Sequence, residues 1–140
     1  MRSKYLVLIL SFSTLINVRC SDNLDGEIED KKKEIKIGYE NVMPMILKIP
    51  EIKKNLINYS PMLPDTLKSK AQDISFDLQK SANKMNIWKT KLETVLKHSD
   101  DKKKKLENFK NLALELKQID SLTYTNIMRV KEIAIYLKID

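Results

Sequence analysis

His98 is the only imidazole and Cys20 the only thiol in this 140-residue chain. A single Cys excludes a disulfide framework, and a single His excludes a multi-histidine metal site. A hydrolytic triad would need His98 beside an activated serine, but the Gly-x-Ser-x-Gly turn that exposes such a nucleophile does not occur. Phosphate-gripping loops need glycine, and none occurs after Gly38. Glu27, Glu29 and Asp30 alternate with lysines, the pattern of a solvated helix face rather than of an acid–base pair. The expectation is a protein that is not an enzyme and carries no cofactor or metal. His98, at a predicted helix end, reads as a partner of C-terminal carbonyls.

Binding chemistry has more to work with. Lys102, Lys103, Lys104 and Lys105 form the densest charge run and a candidate basic contact patch for sulfated glycans, anionic lipid or another acidic surface. Asp100 and Asp101 precede the run, so the simpler reading is a solvated first helical turn; Lys31, Lys32 and Lys33 are flanked by acids in the same way. No aromatic residue interleaves with either run, which argues against nucleic acid as a partner. Asn58-Tyr59-Ser60 is a formal N-glycosylation sequon, with Pro61 after it lowering its use. Met43, Met45 and Met62 cluster around prolines and read as fillers of an irregular bundle end.

The elements that must carry these residues are helices. Only two glycines and four prolines occur, which fits neither a sandwich nor a barrel. Ile28, Ile35, Tyr39, Val42, Ile46 and Ile49 recur at helical spacing, and Pro44 within them predicts a rod kinked or broken there, over 27–43 and then 45–59. Ser60-Pro61-Met62-Leu63-Pro64 is the clearest linker, with Asp65 placed to cap the second rod. From Leu67 to Val95 the apolar positions alternate steps of four and three, Ser81 being the one polar member. Trp88 sits on that seam and reads as core. A last stripe from Leu106 to Leu137 passes through Asp120, Thr123 and Ile127 and predicts a helix over 102–138, loosened near Asp120. Three rods, or four if Pro44 opens into a corner, predict an all-α antiparallel helical bundle.

The first twenty residues read differently. Arg2 and Lys4 precede a nearly uncharged apolar run ending in Val18-Arg19-Cys20, the pattern of a secretory signal peptide cleaved after Cys20. The expected organisation is thus a leader over 1–20 and one bundle domain over 21–140. Loss of the leader removes three basic residues and no acid, leaving 23 basic against 19 acidic, so the formal net charge falls from +7 to +4. The remaining chain has no cysteine, and packing alone must hold it.

With its leader Met1–Cys20 and the helices behind it, the chain resembles the small helical seminal-fluid proteins that flies secrete from male accessory glands. The resemblance covers the general plan and implies a secreted, extracellular protein, acting in reproduction by binding a receptor or other extracellular protein. Salivary and venom secretions of arthropods share the plan. Two other classes compete with it. One is an extracellular carrier of lipid or another small hydrophobe, for which the wide apolar face of 102–138 is the pointer. The other is a bacterial surface lipoprotein anchored through Cys20, although Asn17 and Arg19 make a poor lipobox.

Overall fold

Long stretches of good helix formers with apolar residues every three or four positions bury themselves best as packed helices. The computed structural model describes the backbone of residues 3–98 and 101–137 and the side chains of residues 23–97 and 101–137. The side chains of the leader, Cys20 included, and that of His98 lie outside the described residues. Three α-helices occur in chain order: α1 (Ser3–Tyr59), α2 (Asp65–His98) and α3 (Lys102–Leu137). Each packs on the other two, and no strand occurs among the described residues. All-α bundle is the architecture.

The first rod is not broken. α1 continues through Pro44 and Pro50, so the bundle has three helices and the expected interruption at Pro44 does not occur. Both prolines are exposed, while Val42 and Ile49 on either side are buried on the inner face. Proline removes one helical N–H and crowds the preceding turn. On the wet face water can satisfy the freed carbonyl, and burial on both sides favours continuing the helix through the proline. Ile28, Ile35, Val42, Ile49 and Leu56 are all buried at intervals of seven residues. A repeat of seven is slightly shorter than two turns of straight helix, which favours left-handed coiling of the rods.

Charged pairs record the register. Glu27 meets Lys110 and Glu34 meets Lys117, one heptad further along both helices, so α1 and α3 run parallel. Lys70 meets Glu132, Asp77 meets Arg129 and Lys91 meets Glu115, so α2 runs antiparallel to α3. At the α1–α2 turn, Ser60–Met62 forms a single 3-10 turn and Leu63 is buried as a plug in the bundle end. Asp65 does not cap from outside: it is the first residue of α2, paired with Lys68, and the Pro64 carbonyl accepts from the Leu67 and Lys68 N–H groups. At the α2–α3 turn Asp101 is the cap, its Oδ1 accepting from the N–H groups of Lys103 at 2.9 Å and Lys104 at 3.2 Å.

The core has two apolar halves with a polar layer near the middle. One half gathers Val42, Met85, Trp88, Phe109 and Leu116; the other gathers Ile49, Leu56, Ile74, Leu78 and Ile133. Between them lie buried Ser81, Thr123 and Asn126. Each bonds a helix carbonyl one turn earlier, and Arg129 bridges Asn126 Oδ1 at 2.9 Å and Asp77 Oδ2 at 3.0 Å. The α3 seam therefore passes through Ile119, Thr123, Asn126 and Ile133, not through Asp120 and Ile127, which are only half-buried. The helix is also unbroken at Asp120. Met43 and Met45 pack beside the Trp88 half rather than filling a bundle end, and Met62 is exposed.

Since Pro44 is exposed and packs no core, Pro44→Ala restores a donor without opening a cavity. We expect it to stabilise the fold by about 1–3 kcal/mol in chemical denaturation. A loss of stability would show that the ring contributes packing.

Candidate functional site

α1 and α2 touch each other least of the three helix pairs, and α3 lies against both. On the side away from α3 this leaves an apolar groove. Its lower part is a hollow of about 620 Å³ walled by Leu56, Ile57, Ala71 and Phe76, adjoining one of about 450 Å³ beside Ile46 and Pro50. A third hollow of about 340 Å³ lies further up the same seam, against Tyr39, Leu92 and Leu96. Ile57 and Phe76 stand on opposite walls, 67% and 72% exposed, although neither helix needs a large apolar residue on its wet side.

Lysines line this groove: Lys53 and Lys54 make no ion pair among the described residues, whereas Lys32 and Lys36 further up pair with Glu29 and Glu40 of their own helix. Lys53 Nζ donates to the neutral amide oxygen of Gln79 at 2.5 Å. Lys89 Nζ lies 5.7 Å from the centre of the Tyr39 ring, a cation–π contact. Tyr39 in turn stacks on Trp88, with ring centres 6.0 Å apart. Pro50 also supplies no N–H to the Ile46 carbonyl, leaving an acceptor on the groove flank without its usual donor.

The residues singled out from sequence do not gather into one site. Lys102, Lys103 and Lys104 are exposed and Lys105 is half-buried at the start of α3. Four consecutive helical residues point about 100° apart, so they ring the helix instead of forming one face. Lys102 pairs with Asp25 Oδ2 at 2.6 Å, and backbone N–H groups of that turn are held by Asp101. Asn58 is exposed in the last turn of α1 and lines the groove, more than 40 residues of chain from the lysine run. Trp88 is fully buried, with its indole N–H bonded to the Leu112 carbonyl at 2.8 Å. The wide apolar face expected on α3 does not make the groove, which belongs to α1 and α2. Ile57 and Phe76 were not among the expected site residues; the only signal was large apolar residues off the seam.

A smaller hollow of about 200 Å³ lies between α1 and α3 at the end plugged by Leu63, walled by Ile52, Val130 and Ile133. Among the described residues no cluster of metal-ligating side chains occurs, and no helix is long and apolar enough to cross a membrane. Compared with protein-family models, curated proteins and solved structures, the chain matches none.

One carboxylate is strongly perturbed. Glu34 accepts from Lys117 on α3 at 2.6 Å and from Lys31 on its own helix at 2.5 Å. Hydrogen bonds from Lys117 first, then Lys31, lower its pKa from 4.5 to about 2. Lys70 likewise holds Glu132 below the usual carboxylate range. A folded-state pKa below the unfolded one gives stability that is full above 4.5 and lost as pH falls towards 2. The pair is partly wet, so denaturation midpoints should fall over that window by an amount on the order of 1 kcal/mol for this residue. Glu34→Gln should flatten that part of the pH profile, and an unchanged profile would mean that the Lys117 bridge contributes nothing to folding.

Proposed function

We propose that this chain is a small secreted protein that acts by binding, without catalysis, in the manner of the seminal-fluid and other glandular secretions it resembles. The observation that carries the reading is the open α1–α2 groove with Ile57 and Phe76 displayed on its walls. Exposing two large apolar side chains on facing walls of one groove gives no benefit to folding, and such rimmed apolar surfaces are characteristic of contact sites. The Met1–Cys20 leader supplies the route to the outside. A sequon at Asn58 fits the same route, and an attached glycan would stand at the groove edge.

A hydrophobe carrier is the second reading, favoured by the hollow beside Leu63. At about 200 Å³ it would hold only a ligand below the usual drug-sized range.

Intact mass of the product released by cells expressing the full chain tests the localisation. The expected product begins at Ser21. A diacylated Cys20 would make this a surface lipoprotein, and a retained leader would remove the secreted reading altogether.

A further inference from the structure

We propose that the α1–α2 groove receives one amphipathic α-helix of a partner protein, with carboxylates flanking its apolar stripe. The stripe packs on Ile57 and Phe76, and the carboxylates meet Lys53, Lys54 and Lys89. This rests on the binding role proposed above and names the class of partner.

Three observations select that occupant. The first is charge: among the described residues the groove is lined by lysines without a carboxylate, and Lys53 is met by the neutral amide of Gln79. Elsewhere on the bundle lysines pair repeatedly with acids across helices, as Lys70, Lys91, Lys102 and Lys117 do. Lys53, Lys54 and Lys89 make no ion pair among the described residues and can meet a ligand of opposite sign.

The second is shape. From Tyr39 to Tyr59 the α1 wall runs about 30 Å at 1.5 Å per residue, the span of a helix of about 20 residues. A groove open along one side cannot bury an alkyl chain to the 70–90% typical of small-molecule sites. A helix laid there brings its own polar back and occupies the fourth position of a helical bundle. The third is backbone chemistry: the Ile46 carbonyl, freed by Pro50, is an acceptor for a polar side chain at the edge of that helix. A second copy of this chain is disfavoured, because two such grooves face to face would bring lysine against lysine.

The test uses the full secreted chain and two synthetic peptides of about 18 residues with the same leucine stripe, one flanked by glutamates and the other by lysines. Fluorescence anisotropy at about 0.15 M salt should show saturable binding of the glutamate peptide and at least about tenfold weaker binding of the lysine peptide. Phe76→Ser and Ile57→Ser change exposed residues, so folding is retained, and each should weaken the glutamate peptide about tenfold. The double variant Lys53→Glu/Lys54→Glu should reverse the preference between the peptides. Equal affinity for both peptides, or indifference to Phe76→Ser, would overturn the inference. So would stoichiometric palmitate binding in place of the peptide, or a dimer in sedimentation that Phe76→Ser dissolves. A photo-crosslinking residue placed at Phe76 or at Lys103 separates the two levels of reading. Crosslinks in native fluid from Lys103 alone, with failed peptide assays, remove the groove and leave a binding protein. Silence at both positions removes both.

Discussion

The indole N–H of Trp88 donates to the carbonyl of Leu112, and much of the bundle's geometry depends on that contact. A fully buried indole must find an acceptor, or the cost of its desolvated N–H offsets the area it buries. Taking the acceptor from the α3 backbone sets how close α2 and α3 lie and in which register. Tyr39 then stacks on the other side of the same ring, bringing α1 into the layer. One residue away, Gly38 meets Leu116 so closely that an added Cβ would lie 2.9 Å from its Cδ2. With no side chain there, α1 can settle closely against α3.

The polar layer does a different job from the apolar halves it separates. Ser81 and Thr123 bond within their own helices and add little attraction between them. Asn126 is different, because Arg129 ties it to Asp77 across the α2–α3 seam. A slide of one heptad would leave Asn126 facing apolar neighbours and Arg129 without its acid. Penalties of this kind select one register among several that bury similar apolar area. The charged pairs between helices outside the core are mostly exposed and individually weak. Their value is that all of them agree with the same register.

What could be read from sequence depended on the balance between local and distant forces. The α2 seam was legible residue by residue, because no glycine or proline disturbs it and every step fits one face. Pro44 misled, since the rule against interior proline counts a lost donor but not the burial of Val42 and Ile49 on both sides of it. Asn126 was invisible: a polar residue enters a core only when its partner is in place, and Arg129 and Asp77 are brought together by folding. Asp101 stood in the sequence only as an acid ahead of the lysine run, and the turn geometry makes it the cap. The groove lay hidden for the opposite reason. Ile57 and Phe76 are apolar residues off the seam, and a single chain gives no way to distinguish a contact surface from a tolerated exposure.

The parallel pairing of α1 with α3 joins parts of the chain far apart in sequence, and it is the most extensive helix contact in the molecule. The covalent link from α1 to the rest passes through the exposed Pro61 and Met62. Connectivity and cohesion are therefore carried by different parts of the protein. A protease that cut beside Met62 would divide the chain without dividing the particle, and the two fragments should travel together in size-exclusion chromatography until a denaturant parts them.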